Sequence, residues 1–236
     1  MTAVADHDFL GMLTPDEARA LHSRGVVRNF RRGAAMLREG EDPTRVLVLL
    51  EGRAKAVTFT EDGKEVVLGF IGPGELLGEV ATIETRPRSA TVISLEPVTA
   101  LALAASDFWA LLDEHPRIWV VVHRIVIRRL RLADLQRKEF SGSNTLSRVS
   151  RRLVELSDTH GTESEDGVTI TLPISQEELA GWTGASREAV TKALRTLRDL
   201  GWIETGRRSV RELPAASATA SADRTHGSAS RASSSV

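Results

Sequence analysis

The chain has 236 residues, of which 41% are hydrophobic and 27% are charged. This balance is that of an ordinary folded protein rather than a disordered chain. There is no cysteine, so a disulfide framework, a thiolate-ligated zinc site and a cysteine-held iron–sulfur cluster are excluded. The formal net charge is only -1, but between Gly184 and Arg211 seven basic residues outnumber three acidic ones. A local basic surface of this kind is enough for a nucleic-acid partner.

The sequence has no segment typical of a signal peptide or a membrane span. The first nine residues are polar and acidic, without the apolar stretch that a signal peptide needs. The longest apolar runs, such as 46–50 and 118–122, are far shorter than the roughly 20 residues of a bilayer-spanning helix. We therefore expect a cytoplasmic protein without a membrane partner.

The N-terminal half of the chain has the pattern of a β domain. A short helix over 15–23 comes first, because Thr14 can cap it and Pro15 suits its first turn. Short apolar runs separated by glycines then predict an all-β barrel, roll or sandwich. These runs are residues 26–30, 46–50, 54–59, 66–71, 91–94 and 98–103. Because no helix-length segments alternate with them, a parallel α/β sheet is disfavoured.

Residues 116–140 contain no glycine and have helical periodicity, which predicts one long helix. Its apolar residues form two stripes, one of Val121, Ile125, Leu132 and Leu135, and a second of Ile127 and Leu130 that leads on to Asp134. Two apolar faces favour packing against the β domain on one side and against the same helix of a second copy on the other. A single helix buried within a monomer is the alternative.

The C-terminal part of the chain mixes helices with short strands. The run Ser-Gly-Ser-Asn predicts a break in the long helix and a hinge at 141–144. Helices are predicted over 145–159, 176–182 and 187–200, and strands over 168–172, 202–204 and 209–212. A polar loop is expected from 160 to 167. Beyond Pro214 the chain is almost wholly Ala, Ser, Thr and Arg, so 214–236 is predicted to be a disordered tail.

The segment 72–92, GPGELLGEVATIETRPRSATV, combines residues that suit a phosphorylated sugar. Gly78 permits close backbone approach, and the residues after it can form a helical turn whose free N–H groups favour an anion. Ten residues later, Arg88 and Ser89 offer a guanidinium fork beside a hydroxyl, which suits a phosphate. Glu79 would accept a hydrogen bond from a sugar hydroxyl. The alternative is a surface salt bridge between Glu79 and Arg88.

The segment 174–210 predicts a helix-turn-helix followed by a strand pair. Ser175 and Glu178 suit a capping box on the first helix, and Ser186 suits the N-cap of the second. The outward face of the second helix carries Arg187, Glu188, Thr191, Lys192 and Arg195. Arg207 and Arg208 lie at the turn of the strand pair, where a wing would contact DNA phosphates. A module for protein interaction alone is the alternative.

Both segments, and their order along the chain, resemble the cyclic-AMP receptor protein / fumarate-nitrate reduction regulator family of bacterial transcription factors. The family's phosphate-binding cassette is matched at Gly78, Glu79, Pro87, Arg88, Ser89 and Ala90, with Val80 in place of leucine. The resemblance implies an α+β fold with an N-terminal cyclic-nucleotide-binding-type β-roll over 8–115 and a long dimerisation helix over 116–140. The hinge at 141–144 and a C-terminal winged helix-turn-helix over 145–213 would follow.

The resemblance also implies a cyclic nucleotide effector. Glu79 would bind the ribose 2′-hydroxyl, and Arg88 and Ser89 would bind the cyclic phosphate. Arg129 matches a family arginine that reaches from the long helix toward the phosphate and the glutamate.

The base-binding position departs from the family pattern. The family's adenine-contacting Thr-Ser pair is replaced here by Ala133 and Asp134. The Asp134 carboxylate would accept from the exocyclic amine of adenine or from the N1 and N2 donors of guanine, or would pair with an arginine of the partner helix. Cyclic AMP is therefore the first expectation and cyclic GMP the second. A pocket that has lost ligand binding is the alternative to both.

For DNA, the resemblance rests on Ser186, Arg187 and Glu188, and on Lys192 five residues after the arginine. Arg187 and Lys192 would donate to guanine O6 and N7, and Glu188 would accept from the cytosine amine. The expected partners are double-stranded DNA with a two-fold-symmetric operator, a second copy in a homodimer, and RNA polymerase.

Other classes of function have little support in the sequence. It contains no recognisable nucleophile–base pair, metal-ligand cluster or P-loop, so neither an enzyme nor a metal site is expected. A haem is not expected either, because the six histidines have no paired spacing: His7, His22, His115, His123, His160 and His226. The remaining alternative is a regulator whose β domain serves only dimerisation and that binds DNA without an effector.

Overall fold

The computed structural model describes residues 8–63, 65–142, 144–164, 167–170, 175–206 and 209–213, without the side chains of 135–142, 159 and 160. They form two compact units, one up to Lys138 and the other from Glu139 onward. The helices are α1 (Pro15–Arg24), α2 (Glu79–Glu84), α3 (Ala105–Glu114), α4 (Pro116–Gly142), α5 (Thr145–His160), α6 (Gln176–Thr183) and α7 (Arg187–Asp199).

The strands of the first unit are β1 (Val26–Phe30), β2 (Ala35–Leu37), β3 (Arg45–Glu51), β4 (Ala54–Phe59), β5 (Glu65–Ile71), β6 (Leu76–Leu77), β7 (Thr91–Ser94) and β8 (Val98–Ala104). They make two four-stranded sheets, in the orders β1–β8–β3–β6 and β2–β7–β4–β5. The paired strands are antiparallel. The β-roll and the α+β class expected from the sequence are confirmed.

Strand β3 is buried on both of its faces. Leu47 and Leu49 belong to the apolar core that contains side chains from both sheets. Val46 and Val48 belong to a second core, between the β1–β8–β3–β6 sheet and the helices. Because successive side chains of a strand point to opposite faces, one strand contributes to both cores.

The second core holds the helices of the first unit against the sheet. Its helical side chains are Leu21 from α1, Phe108, Leu111 and Leu112 from α3, and Ile118, Val121, Val122 and Ile125 from α4. Helix α1 begins after Thr14, the predicted N-cap, and Glu17 completes a capping box in which the two residues satisfy each other's backbone N–H groups. The first half of α4 is therefore anchored to the β-roll.

The two apolar stripes predicted on α4 have different environments. Val121 and Ile125 are buried, but Leu132, assigned to the same stripe, is 40% exposed. Ile127 and Leu130, in the second stripe, are 49% and 59% exposed. Only the first part of the first stripe therefore packs on the β-roll, and the second stripe is uncovered within one chain.

The second unit has the architecture of a winged helix-turn-helix. Its strands are β9 (Gly161–Ser164), β10 (Gly167–Ile170), β11 (Ile203–Gly206) and β12 (Ser209–Glu212), in the sheet order β11–β12–β10–β9. Helices α6 and α7 meet at Gly184, whose φ of 59° ends α6 in the left-handed conformation. Apolar side chains of both helices are buried, among them Leu179, Trp182, Val190, Leu194 and Leu197. The guanidinium of Arg152, on α5, stacks 4.9 Å from the centre of the Trp182 ring.

Several elements differ from the expectation. Strands β2 and β6 and helix α3 were not predicted, and β9 lies in the segment expected to be a polar loop. Helix α4 continues through Ser141 and Gly142, so the predicted break does not begin at 141. Ser143 lies outside the described residues, and Asn144 caps α5 by accepting from the backbone N–H of Ser147. The predicted tail, 214–236, also lies outside them. No helix in the described ranges is long and apolar enough to cross a membrane.

Candidate functional site

A glycine in the left-handed conformation begins the predicted phosphate segment. Gly78, the N-cap of α2, has φ 82° and ψ 4°, which glycine adopts without strain. A Cβ placed on Gly78 would lie 2.6 Å from Nη1 of Arg88 and 3.1 Å from Cδ1 of Leu37. The positive φ and the nearby Arg88 guanidinium both favour glycine at this position, and the approach of a ligand to it stays a prediction.

The Arg88 side chain is buried and fixed by backbone carbonyl groups. It is 5% exposed. Its Nη1 donates to the carbonyl oxygen of Gly78 at 2.6 Å, and its Nη2 donates to the carbonyl oxygen of Arg45. Burial lowers the pKa of the Arg88 guanidinium and the charge of Arg45 lowers it further, against the opposing effect of the Glu79 and Glu41 carboxylates. Its positive charge is therefore held in unfavourable surroundings.

Glu79 joins this segment to the long helix. It is the first residue of α2 and is 1% exposed. Its Oε1 accepts a hydrogen bond from Nη1 of Arg129 on α4 at 2.6 Å. Nη2 of Arg129 donates to the carbonyl oxygen of Leu76 at 2.8 Å and to Oε2 of Glu75 at 3.3 Å. One guanidinium thus connects α4 to three acceptors around the start of α2.

The carboxylates of Glu79 and Glu75 stabilise the charged form of Arg129. Burial alone would lower the pKa of the Arg129 guanidinium, but the carboxylates of Glu79 and Glu75 outweigh it and the pKa is raised. The surface salt bridge between Glu79 and Arg88 is wrong, because both side chains are buried and their hydrogen bonds go elsewhere. Arg88 instead donates to the carbonyl oxygen of Gly78, and Glu79 accepts from Arg129.

The other predicted ligand residues are more exposed. Val80 is 38% exposed, and Ser89 and Asp134 are also exposed. Asp134 follows Arg129 by five residues, which turns it about 140° around the helix axis at 3.6 residues per turn. Asp134 therefore lies with the exposed second stripe of α4 and not on the face that carries Arg129.

Two residues of the cluster were missed by the sequence analysis. Glu75 contacts Arg129, and its signal was available, since Gly74-Glu75 repeats the Gly78-Glu79 pair four residues earlier. Arg45 contacts Arg88 through its carbonyl oxygen. Because every residue type supplies a carbonyl, the sequence contains no signal for that contact.

The predicted DNA-contacting side chains share the exposed face of α7. All five are exposed: Arg187, Glu188, Thr191, Lys192 and Arg195. Ser186 caps the helix by accepting from the backbone N–H of Ala189 at 3.2 Å. Arg207 and Arg208 lie outside the described residues.

Glu188 is held as an anion at the start of α7. Its pKa is lowered chiefly by a hydrogen bond from its own backbone N–H, then by one from the Ser186 side chain, and also by the charge of Arg187. An ionised carboxylate is an acceptor only, as contact with a cytosine amine requires. In the part of the chain that the structure describes, no group of three or more His, Asp or Glu side chains could hold a metal ion.

Two protein-family models match the chain, the cyclic nucleotide-binding domain over residues 27–115 and the Crp-like helix-turn-helix domain over residues 147–215. The chain is 29% identical over 196 residues to the CRP-like cAMP-activated global transcriptional regulator of Mycobacterium tuberculosis, covering 83% of this chain and 88% of that protein. It is 28% identical over 194 residues to the cyclic AMP receptor protein of Thermus thermophilus, covering 82% and 87%.

Solved structures share the fold. A transcriptional regulator of the CRP family from Thermus thermophilus matches with a TM-score of 0.67 and 26% identity, covering 83% of this chain and 96% of that one. The c-di-GMP-responsive global regulator CLP of Xanthomonas campestris matches with a TM-score of 0.74 and 20% identity, covering 85% and 100%.

The fold and these matches define the chain as a DNA-binding transcription regulator with a cyclic-nucleotide-binding domain. It belongs to the cyclic-AMP receptor protein / fumarate-nitrate reduction regulator family. A helix pair that serves protein interaction alone is therefore wrong.

Replacing Arg129 by leucine tests the contribution of its contact with Glu79. The variant would leave a buried carboxylate unpaired, and we expect the free energy of unfolding to fall by about 3 kcal/mol. The doubly substituted Glu79→Leu/Arg129→Leu chain should lose less than the single variant, because it buries no unpaired charge. Urea unfolding followed by circular dichroism measures both. Arg131→Leu, at an exposed position of the same helix, is the control, and an equal loss in Arg131→Leu and Arg129→Leu would contradict the expectation.

Proposed function

We propose that the protein is a dimeric, sequence-specific transcription regulator whose affinity for DNA is controlled by a cyclic nucleotide. The buried guanidinium of Arg88 is the observation that supports control by a cyclic nucleotide. It donates to two neutral carbonyl oxygens, and burial opposes its charge. A phosphate bound beside Arg88 would supply the opposite charge and further acceptors.

The residues around Arg88 suit the rest of a cyclic nucleotide. The exposed Ser89 hydroxyl is adjacent in the chain and would donate to the same phosphate. The Glu79 carboxylate would accept the ribose 2′-hydroxyl, with Arg129 holding it in place. Cyclic AMP is the proposed effector, because the relatives from Mycobacterium tuberculosis and Thermus thermophilus are named for cyclic AMP.

Asp134 is the proposed contact to the base. It lies on the stripe of α4 that would face a partner helix, so it would approach a nucleotide bound by the other subunit. Its carboxylate would accept from the single exocyclic amine of adenine, or from two donors, N1 and N2, of guanine. Cyclic GMP is therefore the alternative effector, and a salt bridge to the partner helix is the alternative contact.

The uncovered stripe of α4 supports the homodimer. Ile127 and Leu130 are three residues apart and about half exposed, in the spacing that coiled-coil seams use. Pairing α4 with the same helix of a second copy would bury both. A two-fold-symmetric dimer could then bind two half-sites about 34 Å apart, one turn of DNA, with its two α7 helices.

Effector binding would act through the geometry of the paired helices. A nucleotide that contacts the β-roll and α4 differently in two states favours one of them by that difference in binding free energy. The Arg129–Glu79 contact supports such coupling, because it links the ribose-binding carboxylate to α4. The end of the predicted hinge, between the last residue of α4 and the N-cap of α5, would pass the change to the DNA-binding domain.

The main rival is a regulator that binds DNA without an effector. With or without an effector, the proposed regulator acts by binding DNA and not as an enzyme. We assign it to the cytoplasm, where the chromosome lies. Contact with RNA polymerase stays a prediction from the family resemblance.

Calorimetric titration of the full chain with cyclic AMP and cyclic GMP tests the pocket. We expect one nucleotide to bind, and Arg88→Ala to weaken it by about 100-fold, since hydrogen bonds to charged groups contribute roughly 1.5–3 kcal/mol each. Arg86→Ala removes an exposed arginine two residues away and should bind as the unaltered chain does. The absence of heat with either nucleotide at two temperatures would favour the effector-independent rival.

Sedimentation velocity tests the dimer. Leu130→Glu would bring a charge into the paired helices, and we expect the variant to sediment as a monomer because burying an unpaired carboxylate is costly. The control is Val154→Glu, which alters an apolar and similarly exposed residue of α5, at 51%. A Leu130→Glu chain that sediments like the unaltered protein would contradict this interface.

Binding to an operator selected from random DNA tests the assignment of α7. Arg187→Ala should raise the dissociation constant by about 10-fold to 100-fold, because a bidentate contact to guanine contributes roughly 1–3 kcal/mol of discrimination. Binding to unrelated DNA should change less. Arg198→Ala removes a guanidinium that donates to Thr205 in the wing, and it should keep the base preference. If Arg187→Ala keeps that preference too, the assignment of Arg187 is wrong.

A further inference from the structure

The Thr191 hydroxyl, predicted to contact DNA, is already engaged inside the helix-turn-helix. Its Oγ1 lies 2.8 Å from Oε1 of Gln176, the first residue of α6, and 2.8 Å from the carbonyl oxygen of Arg187 one turn earlier in α7. Gln176 is exposed, and the sequence analysis assigned it no role. The contact with Gln176 connects the two helices on the face that carries the predicted DNA-contacting residues.

The single proton of the Thr191 hydroxyl determines the direction of these two hydrogen bonds. A threonine hydroxyl has one proton, so it cannot donate to both acceptors at once. The carbonyl of Arg187 is an acceptor only. Both contacts are satisfied when Thr191 donates to Arg187 and accepts from the amide NH₂ of Gln176. This requires a half-turn of the Gln176 amide, which exchanges its oxygen and nitrogen without changing its shape. The second N–H of that amide is then directed away from Thr191.

We propose that Gln176 contacts a DNA phosphate and that Thr191 is the positioning residue that holds its amide there. In a helix-turn-helix the first helix crosses the DNA backbone while the second enters the major groove. Gln176 begins the first of these helices, and a glutamine N–H is a common donor to phosphate oxygens. This inference rests on the DNA-binding role of α6 and α7, and it makes Thr191 a positioning residue and not a direct contact to DNA.

The proposal differs measurably from base recognition. A contact to phosphate carries no sequence information, so its loss weakens binding to all sequences alike. An uncharged donor releases no counterion, so its loss leaves the slope of log affinity against log salt unchanged. Loss of a lysine or arginine contact to phosphate would reduce that slope by about one unit.

The test measures binding of the full chain to a selected operator and to an unrelated duplex at several salt concentrations, with and without cyclic AMP. Gln176→Ala and Thr191→Val should each weaken binding to both duplexes by a similar factor, about fivefold to tenfold, with an unchanged salt slope. The doubly substituted chain should bind no more weakly than Gln176→Ala, because the two residues make one contact. Thr191→Ser keeps the hydroxyl and should restore the affinity.

Thr196→Val is the matched control. Thr196 also lies in α7, and its hydroxyl donates to the carbonyl oxygen of Lys192 four residues earlier, at 3.1 Å. Among the residues that the structure describes, the Thr196 hydroxyl makes no hydrogen bond to α6, so its substitution should leave the affinity unchanged. An equal loss in Thr196→Val would assign the effect to α7 itself and overturn the proposal.

Two other results would also overturn it: a changed preference at one base pair in Thr191→Val, or an additive loss in the doubly substituted chain. Arg187→Ala, measured in the same series, separates this inference from the assignment of α7. If Arg187→Ala loses the base preference while Gln176→Ala has no effect, only the role of Gln176 fails. If Arg187→Ala has no effect, the assignment of the base-contacting helix face fails instead.

Discussion

The ion pair between Arg129 and Glu79 is the contact on which the arrangement of the first unit's site depends. Its two residues lie fifty positions apart in the sequence, one on the long helix and the other at the start of a six-residue helix. Because Glu79 is almost inaccessible to water, its charge needs a partner inside the protein. Any ligand hydroxyl that binds this carboxylate would therefore share it with α4, and the position of α4 would depend on what occupies the site.

The sequence predicted the elements of the fold whose local pattern is strong. The ranges of β1, β4 and β7 match the expected ones, and α1 ends one residue later than expected. The missed elements have weak local signals: β6 has two residues, and α3 begins without a side-chain cap. The apolar run in β3 predicted a strand, but it contained no information that the two faces belong to different cores. That arrangement depends on tertiary packing.

The residues of the candidate site were largely predictable from the sequence, but several of their contacts were not. Motif and resemblance pointed to Gly78, Glu79, Arg88 and Arg129, and the structure brings these four residues together. Their partners were not predictable where a backbone carbonyl is the acceptor, as for Arg45. Helical periodicity correctly predicted the exposed face of α7. The hydrogen bond between Thr191 and Gln176 joins two helices across fifteen residues, and the periodicity of a single helix contains no information about such a contact.

The geometry at Gly78 also restricts the order in which this site could evolve. A Cβ there would lie 2.6 Å from the Arg88 guanidinium, closer than two unbonded heavy atoms of this kind approach. The cost of a side chain at 78 therefore depends on position 88: the strain of the positive φ is present in either case, and the total is smaller once residue 88 has a shorter side chain. A lineage that abandons the ligand should lose the arginine first and the glycine later. In descendants of such a protein, a retained glycine beside a lost arginine would mark the intermediate stage.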